Sequence, residues 1–332
     1  MGLYEYNKTI VDSAAYALAK PEASGGILVY GLEFPSPFIS GVKKNDTVHA
    51  RIFQKNNGMP GLPRNSEEIM LLIHGFATSD KKLQNYFSLA GSMAEKDITS
   101  IFINLPYHLK RTPEGESSGG RLKAFDDVQT LDFFNQAVVD LRRLIDISSA
   151  IFKPSKIYLY GISMGCMIST IVLAFEKRID KAALLLGGGN WEEVHWKGVL
   201  RFILNGDCSK GSTDTRRIEC RKAYRDFPAF LEEFKRTKKE ALDPGLKGLE
   251  DLKKTTPKAC FLCDPMAFAH MADPGRILMI NSRFDLYFSR KSTIYLWEEL
   301  GRPRIKWINN LHSSKILRNK KLLEVIYDFF TH

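Results

Sequence analysis

The stretch "IYLYGISMGCMIST" (residues 157–170) changes character within two residues. Its first half is a run of Ile, Tyr and Leu that reads as a buried strand. Its second half is apolar almost all round and reads as a central helix. Between them, Gly161 and Gly165 bracket Ser163 in a G-x-S-x-G pattern. A strand that reverses into a helix within one residue crowds its own backbone, so the positions two before and two after the turn residue leave no room for a side chain. The turn residue is strained, and its hydroxyl stands proud at a helix N-terminus whose dipole favours developing negative charge. A serine that merely fits a tight turn would look the same in isolation; a strand before it and an apolar helix after it favour a nucleophile.

Outward from this turn, short apolar runs recur, each closed by turn residues. Residues 26–34 and 47–54 read as an antiparallel pair of strands, and residues 68–76, 98–106, 156–163, 181–189, 276–282 and 304–310 as six parallel ones. Between most of them lie segments with helical spacing of apolar residues, at 81–96, 126–149, 164–178, 289–300 and 314–330. Alternating strands and helices predict an α/β fold: an eight-stranded, mostly parallel sheet flanked by helices on both faces. One interval breaks the rhythm. Residues 190–275 contain no good strand and hold charged helical pieces. They read as a helical cap inserted after the sixth strand, leaving 1–189 and 276–332 as the core domain.

In open α/β sheets, ligands bind at the carboxyl ends of the strands. Ser163 stands at one such end, Asp285 follows the penultimate strand in "NSRFDLYFS", and His312 follows the last strand. A serine hydroxyl needs a base to remove its proton, and the base needs a carboxylate to orient it. His312 is the candidate base and Asp285 the candidate acid. Glu192 and Glu193, near the end of the strand before the cap, remain rival carboxylates, whereas Asp273 precedes its strand and lies at the wrong end.

The order Ser163, Asp285, His312, together with the elbow and the strand layout, resembles the α/β-hydrolase superfamily of serine hydrolases. The likeness runs from about residue 26 to the end, apart from the cap, and Cys166 departs from the frequent Gly-Gly ending of the elbow. The resemblance implies an oxyanion hole built from the backbone N–H groups of Met164 and of Phe76, the latter after His74-Gly75, with His74 structural. It implies pocket positions for Tyr107 and His108 in "NLPYHLKRTPEGESSGG". Arg111 in the same loop reads as solvated, with a substrate carboxylate as its alternative partner.

The implied activity is hydrolysis of small-molecule carboxylic esters with short to medium acyl chains, through an acyl-enzyme, with no metal or organic cofactor. Two alternatives stand beside it. A peptidase of the prolyl-oligopeptidase kind usually carries an N-terminal propeller, for which this chain has no room. A non-catalytic binding protein commonly lacks a triad member. An aspartate-nucleophile dehalogenase is disfavoured by Ser163.

Bulk properties set the remaining bounds. The net charge is +10, with 44% apolar and 26% charged residues. No dense Lys/Arg block interleaves with aromatics, so nucleic acid is not an expected partner. No segment reaches the roughly 18 to 20 apolar residues of a membrane span. The first residues lack the pattern of a secretion signal, and Tyr6 stands where myristoylation wants Ser or Thr, so a cytoplasmic protein is expected. Four of the five cysteines, Cys208, Cys220, Cys260 and Cys263, fall in the cap. Their spacing is not that of a zinc knuckle, and buried thiols are expected.

Overall fold

A computed structural model of the chain describes residues 2–12, 14–58, 61–204, 212–241 and 256–332. Each of the eight apolar runs forms a strand: β3 (Ile27–Pro35), β4 (Thr47–Lys55), β5 (Glu68–Ile73), β6 (Thr99–Ile103), β7 (Lys156–Ile162), β8 (Lys181–Leu185), β9 (Ile277–Ser282) and β10 (Arg304–Ile308). Two short strands, β1 (Ala17–Leu18) and β2 (Glu22–Ser24), pair antiparallel with β3 and bring the sheet to ten. At two and three residues, both are too short for periodicity to mark them in the sequence. The order across the sheet is β1-β3-β4-β6-β5-β7-β8-β9-β10. β4 runs antiparallel to both its neighbours, while β5 to β10 are mutually parallel.

The inner strands β5 to β9 are buried along nearly their whole length because helices cover both faces. The edge strand β10 instead carries Arg304 and Lys306 outward, which discourages pairing with another chain. On one face, α1 (Asp80–Glu95) and the C-terminal α8 (Lys320–Thr331) bury Tyr86, Leu89, Met93, Leu322, Ile326 and Phe330. On the other lie α2 (Asp127–Phe152), α3 (Met164–Phe175) and α7 (Arg290–Glu299). α2 starts at a capping box in which Asp126 accepts from the Gln129 N–H and the Gln129 side chain accepts in return from the Asp126 N–H.

Between β8 and β9 the described residues are helical: α4 (Trp191–Trp196), a 3₁₀ turn at Val199–Phe202, α5 (Thr213–Ala241), a second turn at Ala259–Cys263, and α6 (Met266–Ala269). Tyr224, Phe227, Leu231 and Phe234 form a buried stripe among the described residues of α5 and pack on Phe261 and Phe268. Among the described residues, no helix is long and apolar enough to cross a membrane.

One loop residue departs from expectation. Arg111 is neither solvated nor available to a substrate: it is fully buried. Its Nη1 donates to Asp140 Oδ2 at 2.7 Å and to the Asn104 carbonyl at 3.1 Å, and its Nε donates to the Asn45 carbonyl at 2.8 Å. Ser36 donates to the other oxygen of Asp140 at 2.6 Å. Asn45 in turn donates to Gln136 and accepts from the Tyr107 N–H. This network ties the loop after β6 to the middle of α2. Burial raises the Asp140 carboxyl above its ordinary value, against the lowering effect of Arg111 and Ser36.

Removing one member of such a pair strands a buried charge. Arg111→Ala is therefore expected to destabilise the protein by about 3–5 kcal/mol in urea unfolding, and Arg111→Met/Asp140→Leu by much less. Equal losses for the two variants would contradict the account.

Candidate active site

The elbow sits where β7 turns into α3. Ser163 has φ 60° and ψ −121°, outside the regions comfortable for an L-residue. Its amide N–H donates to the Leu185 carbonyl of β8 at 2.8 Å, which pins the turn to the sheet. The two glycines are required, though not because a side chain would strike Ser163 itself. A Cβ at Gly161 would lie 2.4 Å from both the Gly165 carbonyl oxygen and Ser169 Oγ. One at Gly165 would lie 2.3 Å from the carbonyl oxygen of Ile73 in β5. The helix therefore enters against the neighbouring strand, and only glycine lets it do so.

Two loops at the same sheet edge deliver the partners. Arg283 N–H donates to the Ile308 carbonyl at 2.9 Å, and the Ser282 hydroxyl donates to the Asn310 carbonyl, binding the loop after β9 to the loop after β10. His312 Nε2 lies 2.9 Å from Ser163 Oγ, and His312 Nδ1 lies 2.8 Å from Asp285 Oδ2. The second oxygen of Asp285 accepts the N–H groups of Tyr287 and Phe288 at 2.8 and 3.0 Å. The ring of Tyr287 packs 4.5 Å from that of His312. Asp285 is nearly closed off from water at 4% side-chain exposure, so its charge is directed at the imidazole. The rival carboxylates are engaged elsewhere. Glu193 accepts from Ser289 Oγ at 3.0 Å and faces Lys291, and Glu192 faces Arg221.

Ser163 opens into a cavity of about 130 Å³. Its walls are mainly apolar, with Phe76 and Met164 beside the serine and Phe133, Phe134 and Trp191 further in. Tyr107 and His108, expected to line a pocket, are not part of this wall. Tyr107 packs edge-on against Phe125, and His108 is fully buried beneath the loop that follows β5. Trp191 and Tyr287 were invisible as site residues in the sequence, because nothing local distinguishes a wall aromatic from a core aromatic.

That buried position gives His108 a different task. Its Nδ1–H donates to the Pro106 carbonyl at 2.8 Å, and its Nε2 accepts from the Ala77 N–H at 3.3 Å. His74 lies against it at 5.0 Å between ring centroids, donating from Nδ1 to the Gly75 carbonyl and accepting the Leu105 N–H at Nε2. The two rings thus hold the backbone on either side of Phe76. Burial lowers both imidazoles, His108 to about 4, so both stay neutral and keep an acceptor nitrogen. Gly75 itself packs on Ser163, since a Cβ there would lie 3.0 Å from Ser163 Cβ.

Of the four cysteines between β8 and β9, Cys220 and Cys260 line the cavity and Cys263 is buried; Cys208 lies outside the described residues. Cys166, behind the elbow, is a buried thiol pushed up to about 12 by desolvation.

Similar architectures occur in solved structures. A cold-adapted esterase from an Arctic intertidal metagenomic library aligns with a TM-score of 0.56 at 17% identity, covering 94% of this chain and 98% of that one. An acetyl xylan esterase from Paenibacillus sp. R4 gives 0.58 at 12% identity over 94% and 87%. Acetyl xylan esterase 1 from Thermoanaerobacterium sp. JW/SL YS485 gives 0.53 at 13% over 95% and 88%. At these identities the likeness is one of fold. No curated protein matches the sequence. The model of one family, alpha/beta hydrolase domain containing 18, matches residues 35–332. With the elbow, the sheet order and nearly the whole chain accounted for, the protein belongs to the alpha/beta hydrolase domain containing 18 family.

Proposed function

We propose that the protein is a serine carboxylic-ester hydrolase in which Ser163 is the nucleophile, His312 the general base and acid, and Asp285 the orienting carboxylate. The observation that carries this reading is the relay of hydrogen-bond distances from Asp285 through His312 to Ser163, at the floor of an apolar cavity. His312 Nε2 takes the Ser163 proton as Oγ attacks the ester carbonyl. The negative charge passes to the former carbonyl oxygen, where the N–H groups of Phe76 and Met164 stabilise it. The imidazolium then protonates the leaving alkoxide, the C–O bond breaks, and an acyl-enzyme remains. Water, deprotonated by the same imidazole, attacks the acyl carbon, and return of the proton to Oγ releases the acid. The Tyr287 and Phe288 N–H groups keep Asp285 aimed at Nδ1 throughout.

In this reading residues 190–275 act as a helical cap on the core formed by 1–189 and 276–332, and α4 and α5 supply part of the acyl-binding wall. The lining favours an aliphatic acyl group of short to medium length over a charged one.

Two outcomes test the reading, and a third tests the bracing by His108. Ser163→Ala lowers kcat on p-nitrophenyl esters by at least roughly 10³-fold, and kcat/KM of the wild type rises from acetate towards octanoate. Wild-type turnover in the variant would overturn the nucleophile assignment. Asp285→Asn lowers kcat on the order of 10³- to 10⁴-fold, while Glu193→Gln leaves it within about twofold; the reverse pattern would give the carboxylate role to Glu193.

The third outcome is pH dependence. The folded-state pKa of His108 is about 4, below the ordinary 6.5, so the unfolded chain takes up its proton first. The stability attached to neutral His108 is complete above pH 6.5 and is lost as pH falls towards 4, by about 3 kcal/mol. Urea unfolding across that window should show this loss, reduced in His108→Gln. An unchanged slope in the variant would contradict it.

A further inference from the structure

Nine large apolar side chains are exposed among the described residues, and their distribution is uneven. Six of them (Val128, Phe202, Ile218, Phe284, Leu286 and Leu311) lie within two residues in sequence of a residue of the cavity wall or of the Ser163–His312–Asp285 relay. Four belong to one rim. The Val199 N–H donates to the Leu286 carbonyl at 2.9 Å, joining the turn that carries Phe202 to the loop that carries Phe284 and Leu286. The 2.8 Å contact between Asp285 and His312 brings Leu311 beside them. Wall and rim alternate along the same segments. Leu200 and Leu204 face the cavity and Phe202 faces out; Tyr287 faces in and Leu286 faces out.

The charge on this rim has one sign. The segments 197–202, 283–286 and 311–315 carry Lys197, Arg201, Arg283 and Lys315, all exposed. Their only carboxylate is Asp285, which is turned inward at 4% exposure. The Arg201 guanidinium carbon sits 4.5 Å from the centroid of the exposed Phe202 ring, so cation and aromatic face outward together. Apolar groups ringed by cations, around the mouth of an apolar cavity, match the boundary of a bilayer with anionic headgroups: phosphates above, acyl chains below. A second copy of this face would oppose cations to cations, which disfavours a symmetric dimer here.

We propose that this rim is a peripheral docking surface for an anionic lipid bilayer. Phe202, Phe284, Leu286 and Leu311 enter the headgroup layer, and Lys197, Arg201, Arg283 and Lys315 meet lipid phosphates. The cavity mouth then opens onto lipid rather than water. Docking does not depend on hydrolysis, so it survives the loss of Ser163.

The test is co-sedimentation of the full chain, as wild type and as Ser163→Ala, with phosphatidylcholine vesicles and with vesicles in which about a third of the lipid is phosphatidylserine. Both proteins should partition onto the anionic vesicles alike and much less onto the neutral ones, and salt at about 0.5 M should release them. Arg201→Gln/Arg283→Gln should weaken partitioning on the order of 30-fold, at roughly fivefold per cation. Phe202→Ser/Leu286→Ser should weaken it by roughly 100-fold, at about tenfold per side chain. All four positions are exposed, and unchanged thermal midpoints would establish that the variants fold. No partitioning of the wild type, equal partitioning onto both vesicles, or partitioning that neither double variant reduces would overturn the proposal. So would a dimer that Phe202→Ser/Leu286→Ser converts to monomer, because the face would then be a contact between copies. Failure of the esterase assay alone leaves docking standing, since Ser163→Ala is expected to bind.

Discussion

The close approach of α3 to β5 governs the rest of the structure. The helix starts so near that strand that a single methyl at Gly165 would overlap the Ile73 carbonyl. Ser163 is left with a backbone conformation that costs of order 1–3 kcal/mol. The surrounding sheet holds it there through the bond from the Ser163 N–H to Leu185. Strain at one residue is tolerable because two packed apolar layers and a ten-stranded sheet over-determine its position. The hydroxyl is consequently fixed before any ligand arrives, which is the form of preorganisation that acyl transfer needs.

The partners of the serine come from distant parts of the chain but from one edge of the sheet. Parallel strands all end on the same side, so loops after β5, β7, β9 and β10 converge without any special folding of the loops themselves. What the loops do require is bracing. Asp285 is held by two backbone N–H groups, the Phe76 segment by two neutral buried histidines, and the loop carrying His108 by the Arg111–Asp140 network. A polar framework of this kind sits behind the cavity, while the cavity wall stays mainly apolar.

How much of this could be read in advance follows from the range of each interaction. Strands such as β5 and β8 announce themselves because burial on both faces demands continuous apolar runs, and α2 because its apolar spacing persists over many turns. The elbow is legible because a backbone constraint has to be met by residue type at fixed spacing. His312 and Asp285 could be picked out as candidates from strand ends alone. Arg111 was misread because its partner Asp140 is 29 residues away on another element, and no local pattern separates a buried arginine from a solvated one. His108 was misplaced for the same reason: its role depends on Ala77, which reaches it only in the folded sheet. The short strands β1 and β2 and the buried Tyr4, whose hydroxyl donates to the Leu262 carbonyl at 2.6 Å, carry no periodic signal at all.

The central claim is that Ser163 is an activated nucleophile driven by His312. Treatment with a fluorophosphonate, followed by mass spectrometry of the digested chain, tests it without knowledge of the natural ester. The account predicts one phosphonylated residue, Ser163, in the wild type, and labelling slowed by orders of magnitude in His312→Ala. An unlabelled Ser163, or labelling that proceeds at the same rate without His312, would contradict it.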